Sequence, residues 1–303
     1  MILNLPQSVY LKEIGPRINF QYGSRLSIDQ KLKWINHLIA SGINHIEVST
    51  LMNYPNKQQF SEATELVLKL KRDPHITYGV LVPNKRSLMR AFVVDADEIN
   101  FFISTSESYN AKVKNCSITQ SLKDIKEMTK VTKDYEKLTR AYITTVFGCH
   151  DEKVSHQKAI DLALQLLDDG VEALSFVDTV GKVTPLQVKL FLEDLLIKIP
   201  KERCSMQFYN TYGNGISNIF TSLSYGIQRF ESANGGFGGC FPSNEQNRMI
   251  ETEDLISFLH RLDIPTDVDE VKLLDATNYI STQLNEEPTS KLFSRLPSKK
   301  HLT

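Results

Sequence analysis

The chain has 303 residues, 35 basic against 36 acidic side chains and 41% apolar residues, enough for one large domain or two modest ones. Its lysines and arginines are interspersed with acids, which argues against a nucleic-acid groove, and no apolar run approaches the roughly 20 residues of a membrane span. The four cysteines, Cys116, Cys149, Cys204 and Cys240, are scattered without a Cys-X-X-Cys pair. That argues against a zinc knuckle or disulfide framework and favours a reducing compartment. The N-terminus reaches a strand-like segment too early for a signal or transit peptide, so a cytosolic protein is expected.

Short β-branched or aromatic runs alternate with helical ones along the chain. The strand candidates are Val9–Ile14, Ile43–Val48, Ile76–Val82, Glu98–Ile103, Ala141–Val146, Ala173–Val177, Ser205–Tyr209 and Arg229–Ser232. Ser27 is placed to cap a helix running to Ala40, with Gly42 closing it. The other helical patterns are Lys57–Lys71, Lys85–Phe92, Ile118–Thr132, His156–Asp169, Pro185–Ile197, Gly215–Ser224 and Glu253–Leu262. Strand–helix alternation at this spacing means parallel strands with right-handed crossovers. Eight units suit a closed α/β (β/α)8 TIM barrel better than an open sheet, which would need a phosphate fingerprint after its first strand. Gly15-Pro-Arg-Ile-Asn is not one. The barrel domain is expected over residues 1–284, closed by a C-terminal helix over about Val268–Leu284. The polar tail, residues 285–303, is read as either a mobile lid or disorder.

Chemistry in such a barrel belongs at the carboxyl ends of the strands. Those ends carry Arg17, Glu47, Asn84, Ser104, Ser106, Glu107, Thr144, Thr145, Asp178, Gln207, Tyr209, Asn210 and Asn234. The loop Asn234-Gly-Gly-Phe-Gly-Gly-Cys240 can bring backbone amides to an anion and hold a thiol over the mouth.

Several of these stretches carry a family likeness. Gly15-Pro-Arg17…Gln21, Ile46-Glu47-Val48-Ser49, Ser104-Thr-Ser-Glu107, Asn115-Cys-Ser-Ile118 and Val146-Phe-Gly-Cys149 open the match. Asp178-Thr-Val-Gly181…Thr184-Pro185, Thr211-Tyr-Gly213, Gly236-Phe-Gly-Gly-Cys240 and Glu251-Thr-Glu-Asp254 continue it in order. From about Val9 to Leu284 the chain resembles 3-hydroxy-3-methylglutaryl-CoA lyase and the wider group of metal-dependent barrel lyases and Claisen condensing enzymes. The resemblance implies a carbon–carbon lyase acting on a small acyl thioester, with a coenzyme A thioester among the substrates. It also implies a homo-oligomer, usually a dimer.

The likeness breaks at the metal. Such lyases are understood to hold a divalent cation with an aspartate after the first-strand arginine, two seventh-strand histidines and an asparagine after the glycine-rich loop. Those positions fall here on Ile18, Gln207, Tyr209 and Met249, and the aspartate of the seventh-strand motif is Asn210. A hard divalent ion wants oxygen or imidazole ligands, so a bound metal is not expected. By resemblance, Arg17 steadies an enolate, Cys240 moves a proton, Glu47 supports the ligand network and Asp178 orients substrate. Gln21, Gln207, Tyr209, Asn210, Asn234, Gly238 and Gly239 are assigned to substrate binding. A drier mouth should raise the pKa of Glu47 or Cys240, making Glu47 a base near neutral pH.

Blander roles stand beside these. Arg17 and Glu47 form a structural ion pair in one reading, Asp178 is a turn acid in another, and Tyr209 fills the mouth by packing in a third. Three functions therefore stay open. They are a lyase or condensing enzyme working on an acyl thioester or carboxylate without a metal, a catalytically silent homologue that binds a ligand or partner subunit, and a conventional metal-dependent 3-hydroxyacyl-CoA lyase.

Overall fold

A computed structural model describes residues 5–17, 26–51, 57–149, 152–238 and 248–295. Eight strands close into one parallel barrel in sequence order: β1 (Tyr10–Glu13), β2 (His45–Thr50), β3 (Thr77–Leu81), β4 (Glu98–Ser104), β5 (Leu138–Thr144), β6 (Ala173–Asp178), β7 (Cys204–Phe208) and β8 (Arg229–Ser232). β8 returns to β1 through Tyr10–Arg229, Leu11–Phe230, Lys12–Glu231 and Glu13–Ser232 pairs. The outer layer comprises α1 (Ile28–Ala40), α2 (Lys57–Leu68), α3 (Lys85–Val93), α4 (Glu107–Lys114), α5 (Ile118–Asp134), α6 (His156–Asp168), α7 (Pro185–Lys198), α8 (Gly215–Ser224), α9 (Thr252–His260) and α10 (Glu270–Leu284). The expected (β/α)8 barrel is the fold observed.

Local chemistry explains the element ends. Ser27 accepts from Gln30 N while Gln30 Oε1 accepts from Ser27 N, a reciprocal cap on α1. Ser27→Ala should therefore cost about 1 kcal/mol in urea denaturation, with m unchanged. α4 was not anticipated because Glu-Ser-Tyr-Asn-Ala-Lys-Val-Lys has no apolar stripe. Its ends are nonetheless defined, by Ser106 accepting from Tyr109 N and by Asn115 in the left-handed region at φ 54°.

The barrel interior is charged where most such barrels are aliphatic. Lys12 donates to Glu98 and, at 2.8 Å, to Asn100 Oδ1. Arg140 meets Glu98 Oε2 at 3.4 Å, Ser205 Oγ at 2.7 Å and Glu231 Oε1 at 3.7 Å. Ser175 donates to Glu231. The inward positions of strands β1, β4, β5, β6, β7 and β8 thus form a self-neutralising layer beneath the mouth. Such a layer persists because each buried charge has an opposite partner.

The tail is neither a free lid nor disorder up to Arg295. Thr289 N donates to Gly235 O (3.2 Å) and Thr289 Oγ1 to Glu251 Oε1 (2.5 Å). Asp254 accepts from Ser290 Oγ and from the amides of Lys291 and Leu292 at 2.7–2.8 Å. These contacts latch the segment over the turn that follows β8. Residues 296–303 lie outside the described part.

Candidate active site

β1 ends in a 3-10 turn, Gly15–Arg17, which throws Arg17 across the mouth. The turn requires glycine at 15, where a Cβ would meet Glu13 Oε1 at 2.6 Å and the Trp34 ring at 3.0 Å. Arg17 Nη1 donates to Glu47 Oε1 at 2.8 Å, and its guanidinium carbon stands 5.0 Å from the centroid of the Tyr142 ring. Glu47 reaches this position on β2 where the register against β3 shifts between Glu47 and Ser49, a bulge that re-aims side chains at the rim. Its second oxygen accepts from Tyr142 Oη at 2.6 Å and lies 3.2 Å from Lys12 Nζ.

Charge states follow from these contacts. Burial pushes the Glu47 carboxyl up, but Arg17, Lys12 and the hydrogen bonds from Arg17 and Tyr142 outweigh it and hold the carboxyl below its usual range. The expectation that a dry mouth would make Glu47 a base near neutrality is thereby corrected: its cations win over its desolvation. Burial likewise opposes the Arg17 charge, and Glu47 with Tyr142 and Tyr209 overcomes it, fixing a permanent cation. Burial and the Glu47 charge drive the Tyr142 phenol well above its ordinary value, so it serves as a donor.

Asp178 ends β6 and is almost fully buried. Its oxygens accept from Gly181 N (3.1 Å) and Val183 N (3.4 Å), so it is a turn acid. Desolvation exceeds the pull of these amides and raises the carboxyl to about 7. It therefore also exchanges a proton near neutral pH.

Beside it, Gln207 Nε2 lies 3.6 Å from Met249 Sδ, and Gln207 Oε1 is buried without a hydrogen-bond partner among the described residues. Tyr209 and Met249 pair through an antiparallel bridge. Both are 1% exposed and pack with Ile14, Phe102, Tyr142, Val177 and Ala233. Of the positions that would hold the divalent cation implied by resemblance, Tyr209 and Met249 are part of an apolar plug beside Gln207, and these three offer one neutral amide oxygen, a phenol and a thioether. These groups do not fit a hard cation. Among the described residues no three His, Cys, Asp or Glu side chains cluster to hold a metal ion.

Other expected site residues have structural work. Asn210 Oδ1 accepts from Gly215 N (3.2 Å) and its amide donates to Glu251 Oε2 (3.3 Å), tying the β7–α8 loop to the segment before α9. Asn234 is fully buried. It accepts from Trp34 Nε1 at 3.0 Å and donates to Glu253 Oε2 at 3.2 Å and Thr277 Oγ1 at 2.8 Å. Its side chain points into the protein and leaves no donor for a ligand, which removes it from the substrate-binding set. Asn84 caps α3, and Glu107 accepts from Ile118 N. Gly238 is buried after the turn. Gln21, Gly239, Cys240 and Ile18 lie outside the described residues.

Two site groups escaped the sequence reading. Tyr142 sits two residues before the rim position Thr144, and Lys12 two residues before Ile14, the last residue of the first strand candidate. The period of two along a strand, followed one step inward, points to both.

A closed (β/α)8 barrel with an arginine–carboxylate pair and a near-neutral carboxyl at the carboxyl-terminal mouth belongs to the class of barrel proteins that carry their chemistry on that face. More narrowly, the chain belongs to the HMGL-like family, whose model matches residues 19–280. It is 33% identical over 288 residues to the hydroxymethylglutaryl-CoA lyase YngG of Bacillus subtilis, covering 94% of this chain and 96% of that one. It is 31% identical over 290 residues to the cytoplasmic 3-hydroxy-3-methylglutaryl-CoA lyase of Homo sapiens, covering 95% and 78%. The solved HMG-CoA lyase of Bacillus subtilis superposes with a TM-score of 0.91 at 32% identity, covering 96% of this chain and 98% of that one. That of Acinetobacter baumannii, in complex with coenzyme A and 3-methylmalate, superposes with a TM-score of 0.91 at 26% identity, covering 98% of both.

Proposed function

We propose that this chain is an HMG-CoA-lyase-like carbon–carbon lyase or condensing enzyme that works on an acyl thioester or a carboxylate without a divalent metal. The observation that carries the reading is the Arg17–Glu47–Tyr142 chain at the mouth of a barrel of this family. The relatives are named for coenzyme A thioesters, and one solved relative binds coenzyme A with a hydroxylated dicarboxylate. Both ligand types present an anion that a fixed guanidinium recognises.

In this reading Asp178 takes the proton of the substrate hydroxyl. The carbon–carbon bond breaks with its electron pair passing into the thioester or carboxylate fragment. Arg17 balances the oxyanion that develops, and a returned proton completes the product. Glu47 and Tyr142 position Arg17. Cys240 remains the assigned proton carrier by resemblance. We further infer a homodimer in a cytosolic setting; sedimentation measures the first. No helix among the described residues is long and apolar enough to cross a membrane.

The test is turnover by chelator-dialysed protein on panels of acyl-CoA and short hydroxy-carboxylates, followed by chromatography of the fragments. The expected result is cleavage that added magnesium or manganese changes less than about twofold, since the donor set at 207, 209 and 249 does not suit those ions. Strict dependence on a stoichiometric divalent ion would restore a conventional metal-dependent lyase. The apolar plug of Ile14, Tyr209 and Met249 favours a second reading, a catalytically silent homologue; ligand binding in calorimetry with no turnover on any panel member would establish it.

A further inference from the structure

Lys114 ends α4, between β4 and α5, on the face where the strands deliver their carboxyl ends. Its Nζ donates to Phe102 O at 2.9 Å and stands 4.8 Å from the centroid of the Phe102 ring. The topology explains this contact. Asn100 O accepts from Val82 N just past the end of β3, so Phe102 O, two residues on, faces the same edge where β3 has run out. Among the described residues no carboxylate forms a salt bridge with Lys114. Burial is the largest influence on its charge, opposed only by Cys116 and Asp124, and it brings the amine down to about 8. An amine held by one neutral acceptor against an aromatic ring and brought down this far carries a free lone pair in a fraction of molecules near neutral pH and in about half of them near pH 8.

Phe102 pairs in register with Tyr142, and both rings belong to the apolar cluster at the mouth. Arg17 stands over the Tyr142 ring as Lys114 stands over that of Phe102. An available amine and a fixed guanidinium thus occupy neighbouring rings on adjacent strands.

We propose that Lys114 forms an imine with the keto carbon of a 2-oxo acid bound at the mouth, with Arg17 holding the carboxylate. This rests on the carbon–carbon lyase reading above and names the carboxylate arm of its substrate class, a 4-hydroxy-2-oxo acid. The neutral Nζ adds to C2, the carbon–nitrogen bond forms, and the carbonyl oxygen leaves as water with the two amine hydrogens. Protonation gives an iminium. Asp178 takes the proton of the C4 hydroxyl, C4 becomes an aldehyde, and the electron pair of the C3–C4 bond passes into the iminium to give an enamine. Protonation at C3 and hydrolysis by one water return a 2-oxo acid and the free amine. The iminium is the electron sink, so the step needs neither a metal nor a redox partner.

The test is reductive trapping of the full chain with pyruvate and sodium cyanoborohydride, read by intact mass and peptide mapping. The expected result is one reduced pyruvyl group per chain on Lys114, with trapping that rises half-maximally near pH 8. Lys114→Arg keeps a donor for Phe102 O but has no imine-forming amine. It should lose the adduct while melting at the wild-type temperature. An adduct mapped to another lysine such as Lys112, or wild-type trapping no greater than that of Lys114→Arg, overturns the proposal. If the variant does not fold, the wild-type peptide map alone decides. Cleavage of 4-hydroxy-2-oxo acids that is equal in wild type and Lys114→Arg sinks the imine and leaves the lyase reading standing. An adduct on Lys114 with no cleavage of any substrate does the reverse.

Discussion

Arg17→Met is expected to lower kcat/KM of the carbon–carbon reaction by about 10²–10³-fold, the loss typical of removing one donor aimed at developing negative charge. The loss should fall mainly on kcat, because the charge Arg17 meets is greatest in the transition state. Glu47 keeps Tyr142 Oη at 2.6 Å and Lys12 Nζ at 3.2 Å after the substitution, so the fold should survive. Arg17→Lys should recover part of the rate: it restores a charge but not a planar fork against Glu47 and the Tyr142 ring. Steady-state kinetics on the substrate found in the chelator panel decides the matter. Wild-type kcat and KM together in Arg17→Met would mean that the pair with Glu47 is structural only.

The barrel was legible because period and spacing carry it. Eight apolar runs separated by helical patterns admit few topologies, and parallel crossovers prune those to one. Arg17, Glu47 and Asp178 were legible for a related reason: strand ends in a barrel face one mouth, so position along the strand substitutes for coordinates. The state of the site was less legible. Glu47 was expected to lose its charge in a dry mouth, yet Arg17 and Lys12 reach it from β1 and its following turn, and only the folded register reveals that convergence. Asn234 looked like a loop residue open to ligand because its neighbours are glycines. Its partners Trp34 and Thr277 lie on α1 and α10, far away in sequence. α4 and Lys114 were missed because eight mostly polar residues leave no amphipathic signature.

The replaced ligand positions and the retained cation have one physical consequence. Tyr209 and Met249 contribute packing, so the mouth is low in dielectric, and charges that survive there need fixed partners. Arg17 has Glu47, and Lys114 has, among the described residues, a backbone carbonyl and the ring of Phe102 with no salt-bridged carboxylate. The first is therefore a permanent cation and the second an amine in reserve. A site built this way can stabilise an anion and offer a nucleophile from its own side chains.

Folding stability should decline as the pH rises from about 5 to about 8.5, the reverse of ordinary acid sensitivity. Burial raises the Glu13 carboxyl to about 7 and that of Glu253 to about 8, against the hydrogen bonds each accepts. The folded chain therefore holds protons that the unfolded chain has already released above about pH 4.5. Where the native state binds more protons, stability falls with pH. The contribution is complete below the unfolded value and is lost as pH passes through about 7 and then about 8. For Glu13 it is on the order of 3 kcal/mol. Glu47 and Glu98, both held low by cations, act oppositely, and their contribution is lost only in acid. The test is Glu13→Gln. Glu13 Oε1 accepts from Gly15 N and Asn234 N, and Oε2 accepts from Thr252 Oγ1. A glutamine keeps the first oxygen and donates to Thr252, whose hydroxyl can turn to Ser232 Oγ at 2.8 Å. The variant thus imitates the protonated acid at every pH. Urea denaturation at pH 5 and pH 8.5 should show a smaller difference for Glu13→Gln than for wild type, with the gain confined to the alkaline side. Equal differences would mean that Glu13 is ionised in the fold, and that its three donors outweigh the burial around it.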